Sequence, residues 1–207
     1  HVGGDFFQYF RRGDKLLVCM ADVTGHAMEA AIPVVMFSGI LRTEMQYDPP
    51  LEQLLQRLNR TLCDTLDSRT FVCLAAAEFD LSDCTLELAN AGCPYPYHFA
   101  AAAGDVAEQQ LDAYPLGVVA DTAFPLVACD FQPGDYLILC SDGIVEAENG
   151  SGELFGFDRT AEIIRRGCLD GLSAEALIDH IIAETLSFTG DTPQGDDRTI
   201  IVVRLTN

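Results

Sequence analysis

The sequence predicts an α+β fold, a four-layer αββα sandwich in which two packed, mainly antiparallel β-sheets are flanked by helix pairs. Two helical stretches come early, short apolar segments broken by turn residues fill the middle, and two more helices precede a last apolar strand. With 207 residues, 49% of them hydrophobic, and no internal repeat or low-complexity tract, the chain is long enough for one domain with a sizeable core.

Residues 6–11 and 16–22 are apolar or aromatic runs around Arg12-Gly13-Asp14, the pattern of a hairpin. From Thr24 to about Tyr47, Met28, Ala31, Ile32, Val35, Met36 and Ile40 recur at helical spacing. Thr24 is available as a cap, while Pro33 and Gly39 should weaken or bend that helix. After Pro49-Pro50, Leu51, Leu54, Leu55, Leu58, Leu62 and Leu66 form one stripe of a second helix ending near Ser68, a pattern typical of a core-facing surface. Strands are expected at 71–79, 85–91, 95–99, 123–131 and 136–140, separated by Ser-Asp, Gly-Asp and Pro-Gly-Asp turns and joined most simply as antiparallel meanders. Helices follow at 158 to about 168 and 173 to about 188, the second under a Ser173 cap, and a strand at 199–205 closes the chain.

The formal charge of -20 argues against nucleic acid or an anionic membrane surface as partner, because phosphate backbones need clustered cations. No apolar stretch approaches the ~20 residues that cross a bilayer, and there is no signal-peptide pattern. Cysteines 19, 63, 73, 84, 93, 129, 140 and 168 lie mostly in apolar segments, which favours a reducing cytoplasm without disulfides. They form no Cys-x-x-Cys pair, and the histidines show no ligand spacing, so zinc has no support.

Acids stand at the ends of apolar runs at four separated places: Asp5 in Gly3-Gly4-Asp5, Asp22 in Ala21-Asp22-Val23-Thr24-Gly25-His26, Asp142 in Ser141-Asp142-Gly143, and Asp196-Asp197 before Arg198-Thr199. A carboxylate where a buried strand meets a loop must be hydrated, hydrogen-bonded or bound to a cation. One shared metal centre satisfies them together, and oxygen-only donors suit Mg²⁺ or Mn²⁺. Taken singly, each is more ordinarily a turn or strand-end residue.

In this order and with this element pattern, the motifs resemble the metal-dependent Ser/Thr protein phosphatases of the 2C type, in their SpoIIE/RsbU-like bacterial branch. The resemblance rests on Gly3-Gly4-Asp5-Phe6-Phe7, Ala21-Asp22-Val23-Thr24-Gly25-His26 with Met28-Glu29-Ala30-Ala31, Ala89-Asn90-Ala91-Gly92-Cys93-Pro94, Pro115-Leu116-Gly117, Ser141-Asp142-Gly143-Ile144-Val145-Glu146 and Asp196-Asp197-Arg198-Thr199. It runs over essentially the whole chain. Family members carry further residues of the same domain before Gly-Gly-Asp, and commonly an upstream regulatory domain, so both are expected in the natural polypeptide.

The resemblance implies two Mg²⁺ or Mn²⁺ ions. Asp22 would bridge them, the Val23 carbonyl and Asp5 would complete one site, and Asp142 and Asp196 the other, with Asp197 as supporting or alternative ligand. The metals would activate a water for in-line attack on phosphorus without a covalent enzyme intermediate. His26 would give a proton to the leaving oxygen or hold a water, the structural role being the better supported. The implied substrate is a phosphorylated anti-anti-sigma factor of the STAS type, with a receiver or sensor domain acting in cis and a homodimer as one arrangement open to the chain.

Two positions depart from the branch. Gln8 stands where a second acid often follows Gly-Gly-Asp, and Ala27 replaces a common glycine; loss of an acid that supports a ligand can lower metal affinity by ~10–100-fold. Gln8 is therefore the best argument for a rival reading, a pseudo-phosphatase that acts as a regulated adaptor. Hydrolysis of a small phosphoester or nucleotide ranks last, since no Gly-x-x-x-x-Gly-Lys loop is present.

Overall fold

The structure, a computed structural model, describes residues 4–24 and 28–206, with the backbone alone for 28–30. A hairpin of β1 (Asp5–Arg12) and β2 (Lys15–Val23) leads to helices α1 (Met28–Glu44) and α2 (Leu51–Thr65). Strands β3 (Val72–Asp80), β4 (Thr85–Ala91), β5 (Tyr97–Ala100), β6 (Asp105–Glu108), β7 (Leu126–Asp130) and β8 (Tyr136–Cys140) follow. The short α3 (Asp142–Val145), then α4 (Phe157–Leu169), α5 (Ala174–Thr189) and β9 (Ile200–Arg204) complete the chain. Two compact units result, one from His1–Cys93 with Leu111–Asp130, the other from Pro94–Gln110 with Phe131–Asn207.

The first unit holds a five-stranded sheet in the order β1-β2-β3-β4-β7, antiparallel at every pairing, with α1 and α2 against it. Its core explains the sequence pattern directly. Leu51, Leu54, Leu55, Leu58 and Leu62 of α2 are all at most 1% exposed, and a fully buried leucine contributes about 1.5–3 kcal/mol. Strand β2 is apolar without alternation from Leu17 to Ala21 because all of those residues are buried, whichever way they point. Phe6 meets Phe37 of α1 edge to face, its ring centroid 5.8 Å away.

The second unit holds a four-stranded sheet in the order β6-β5-β8-β9, also antiparallel throughout. Helices α4 and α5 pack on each other and on this sheet, burying Ile163, Ile164, Leu177 and Ile181 against Tyr97, Tyr136 and Ile138. The expected class is therefore the one observed: α+β, with two antiparallel sheets and a pair of long helices for each.

Element by element, three expectations need correction. Residues 105–108 form a strand that the sequence does not announce, since Asp-Val-Ala-Glu is short and half acidic. Asp142 begins a single helical turn rather than a plain loop. Thr24 does not cap α1: its hydroxyl donates to the Phe71 carbonyl at 3.2 Å and accepts from the Phe71 amide at 2.9 Å, extending the β2–β3 ladder. Helix α1 runs through Pro33 and Gly39, and Ser173 caps α5 as expected by accepting from Ala176 N at 3.2 Å. No described helix is long and apolar enough to cross a membrane.

Two of the sequence motifs are scaffolding. In Ala89-Asn90-Ala91-Gly92-Cys93 the buried Asn90 side chain donates to the Cys93 carbonyl at 2.8 Å and accepts from the Cys93 amide at 3.1 Å, and Gly92 has φ of 88°. In Pro115-Leu116-Gly117, Leu116 bridges to Val72 while fully buried Asn59 of α2 accepts from Gly117 N at 2.9 Å and donates to the carbonyls of Val119 (2.9 Å) and Ala120 (3.1 Å). Replacing Asn59 by alanine leaves these backbone groups short of partners. Asn59→Ala should lower the unfolding free energy by roughly 2–4 kcal/mol, read as a lower urea midpoint at unchanged m-value.

Candidate metal centre

Asp5 and Asp22 face each other directly in the β1–β2 ladder. Because Val23 N donates to Gly4 O at 3.1 Å, the adjacent Asp5–Asp22 pair is the non-hydrogen-bonded kind, whose side chains come closest on one face of the sheet. Gly4 makes this possible. A Cβ at that position would collide with the Val23 carbonyl and lie 2.5 Å from Asp22 Oδ1. Two like charges placed opposite each other repel, so the arrangement calls for a cation or a shared proton. Cys73 of β3 is the partner of Asp22 on its other side.

In the second unit, Asp142 opens α3 and its Oδ1 accepts from Gly143 N at 2.8 Å. Ser141 ties this turn to the loop carrying the remaining acids: its Oγ donates to Asp197 O at 3.1 Å and accepts from Thr199 N at 2.9 Å, while Ser141 N donates to Thr199 O at 2.9 Å. Gly143 lies so near the Asp197 carbonyl that no side chain fits. The result is a cleft of about 350 Å³ lined by Asp142, Glu146, Glu148, Thr192, Asp196 and Arg198 among others. Burial raises the Asp142 pKa from its ordinary value, and the nearby Asp196 charge pushes it the same way.

The predicted residues therefore appear in pairs, Asp5 with Asp22 and Asp142 with Asp196. Asp197 is not among the residues that line the cleft; its amide donates to Asp196 Oδ1 at 2.8 Å and its carbonyl receives the Ser141 hydroxyl. The Val23 carbonyl is the oxygen that crowds Gly4. His26 and Ala27 lie outside the described residues. Among the described residues no group of three or more His, Cys, Asp or Glu side chains stands together as a metal cage. Each pair nonetheless offers oxygen donors alone, the chemistry that fits Mg²⁺ and Mn²⁺.

Gln8 is corrected by strand parity. Three residues from Asp5 on an unbroken ladder, it points to the opposite face, the one on which Phe6 and Phe10 pack into the core, and its Oε1 is buried without a hydrogen-bond partner. It does not stand beside Asp5. The reading of the sequence missed Ser141, Glu146, Glu148 and Arg198; the only signal was that the first two lie in the Ser-Asp-Gly motif and the last follows Asp-Asp.

The chain matches the family model described as stage II sporulation protein E (SpoIIE) over residues 12–206. It is 23% identical over 203 residues to the phosphoserine phosphatase RsbU of Bacillus subtilis (strain 168), covering 98% of this chain and 59% of that protein. It is 24% identical to protein IcfG of Synechocystis sp., covering 98% of this chain but 36% of the relative. Its fold is that of the SiaA-PP2C domain of Pseudomonas aeruginosa, with TM-score 0.85 at 22% identity over 99% of this chain and 81% of that one. The PP2C phosphatase domain of SpoIIE from Bacillus subtilis gives 0.81 at 20% identity, covering 100% and 58%. The catalytic domain of the phosphatase PstP, solved with two manganese ions, gives 0.67 at 16% identity over 97% and 91%.

The two crowded glycines lead to a test with an internal control, because nothing lies within 4 Å of a Cβ placed on Gly195. Gly4→Ala and Gly143→Ala should each cost about 1–3 kcal/mol, the usual cost of forcing a methyl group into a filled space. Gly195→Ala should leave the thermal midpoint within about a degree of the parent.

Proposed function

This chain belongs to the family of stage II sporulation protein E, and on that premise we propose that it is a Mg²⁺- or Mn²⁺-dependent phosphoprotein phosphatase acting on a phosphorylated serine or threonine of a regulatory protein. The observation that carries the reading is the Asp5–Asp22 pair, set face to face at the closest register of the hairpin over a glycine that yields the room. Two opposed carboxylates, when both are charged, repel each other, and a divalent cation relieves that repulsion. RsbU, the relative at 23% identity, is a phosphoserine phosphatase by name.

In this proposal Asp22, Asp5 and the Val23 carbonyl would hold one cation, Asp142 and Asp196 would hold another, and Asp197 would be an alternative ligand. When bound, the cations would supply an activated water and neutralise phosphoryl charge. The chain's own residues set the stage. Ser141 and Gly143 fix the 196–199 loop so that Asp142 and Asp196 share one cleft. His26 is proposed as a proton donor to the leaving oxygen or as a water-holding group. The proposed substrate is a STAS-type anti-anti-sigma protein, and a receiver or sensor domain in cis and a homodimer belong to the same proposal, as does a cytoplasmic location.

Purified protein should hydrolyse p-nitrophenyl phosphate and a phosphoserine peptide with Mn²⁺. EDTA, Asp22→Asn or Asp142→Asn should lower turnover at least ~100-fold, since removing one charge stabiliser typically costs that much. An adaptor would bind its partner with no metal-dependent turnover in the parent protein.

The pH dependence follows from Asp142. Its raised pKa means that protons compete with the cation at higher pH than at an ordinary carboxylate, and the neutral form cannot bind metal. Mn²⁺ affinity measured by calorimetry should therefore weaken as pH falls through that raised value, and this part of the profile should vanish in Asp142→Asn.

A further inference from the structure

The cleft beside α3 holds four carboxylates, those of Asp142, Glu146, Glu148 and Asp196, and among its lining residues a single cation, Arg198. In a chain with 12 basic and 32 acidic side chains, an arginine surrounded by acids would ordinarily be consumed in an ion pair. Arg198 is not. It takes part in none of the ion pairs or side-chain hydrogen bonds among the described residues, and its Nε is buried with no acceptor. Arg159 Nη1 and Arg204 Nε of the same unit are also buried without an acceptor, but those side chains have other partners, Glu153 for Arg159 and the Gly171 and Leu172 carbonyls for Arg204, and Arg165 and Arg166 pair with Glu162.

A buried guanidinium N–H without an acceptor is costly, and Arg is the side chain whose planar fork matches a tetrahedral oxyanion. The loop that carries Arg198 is fixed rather than free. Thr199 N is bonded to Ser141 Oγ, and Gln194 Nε2 to Asp196 O at 2.7 Å, so the backbone on both sides of Arg198 is held. The backbone that carries Arg198 is thus held at the cleft that Asp142 and Asp196 line.

We propose that Arg198 is the phosphate-binding residue of this cleft, its guanidinium receiving the phosphoryl oxygens of a phosphomonoester beside Asp142 and Asp196. The inference rests on the phosphatase reading and deepens it by assigning the group that holds the anion. Arg198 touches substrate and leaves the cations to the carboxylates. An anion entering a cleft with four acids needs at least one fixed positive charge of the protein in addition to whatever the acids bind.

The test uses the whole chain loaded with Mn²⁺ and inorganic phosphate as the probe, titrated by calorimetry. Arg198→Gln should weaken phosphate binding about tenfold or more, the usual worth of a charge-assisted pair, and raise KM for a phosphoserine peptide by a similar factor with a smaller change in kcat. Arg198→Lys should recover part of the affinity. Arg165→Gln, which removes the same charge from a half-buried helix position outside the cleft, should change neither. Mn²⁺ affinity in Arg198→Gln should equal or exceed that of the parent, because a cation next to the proposed ligands has been removed. Unchanged phosphate affinity in Arg198→Gln would overturn the proposal, as would absence of phosphate binding in the parent. A joint fall of Mn²⁺ affinity and thermal midpoint in both Arg198 variants would make the residue structural and overturn it equally. Failure of the phosphatase reading shows separately, as Mn²⁺-dependent turnover that survives Asp22→Asn or as none in the parent.

Discussion

Backbone brought closer than any side chain would allow decides where the acids of this protein stand. At Gly4 the neighbouring strand's Val23 carbonyl and the Asp22 carboxylate occupy the volume of a Cβ, and at Gly143 the Asp197 carbonyl does the same. Both contacts join segments that the sequence separates widely, 4 with 22–23 and 143 with 196–197. Each is reinforced by hydrogen bonds that are not part of any chemistry: Val23 N to Gly4 O at the first, the Ser141 hydroxyl to Asp197 O and from Thr199 N at the second. The backbone at these contacts thereby fixes where each acid leaves the chain, which is how a fold places like charges near one another despite their repulsion.

Much of this was legible beforehand, and the reason is periodicity. The leucine stripe of α2, the continuous apolar run of β2 and the serine-capped α5 each announce both their element and their buried face, because burial and repeat length are two views of the same geometry. Strand β6 was illegible for the same reason reversed. Asp105 and Ala107 are exposed and only four residues are involved, so there is no apolar alternation to read, and the strand exists because β5 offers it a ladder. Thr24 misled because a hydroxyl before an apolar stretch is an equally good helix cap and strand partner. Its bonds to Phe71, 47 residues away, belong to tertiary structure.

The candidate site divides along the same line. Asp5, Asp22, Asp142 and Asp196 could be named from motifs, since each is flanked by residues that make its turn. Ser141 and Arg198 could not be assigned a role, although both lie inside quoted motifs, because what distinguishes them is a partner far along the chain or the lack of one. A serine before Asp-Gly looks like any turn serine until the loop it latches is seen. An arginine after Asp-Asp looks like a solvated cation until the cleft around it is seen to leave it unpaired.

Gln8 shows how a one-dimensional comparison can misplace an effect. Counted along the motif it stands near Asp5, and the absence of an acid there weighs towards an inactive adaptor. Along a strand, an odd separation reverses the face, and the β1–β2 ladder has no bulge that would restore it. Gln8 thus belongs with Phe6 and Phe10 on the core-facing side of β1, where its Oε1 is buried without a hydrogen-bond partner. The departure at Gln8 therefore lies on the face of β1 away from Asp5 and Asp22.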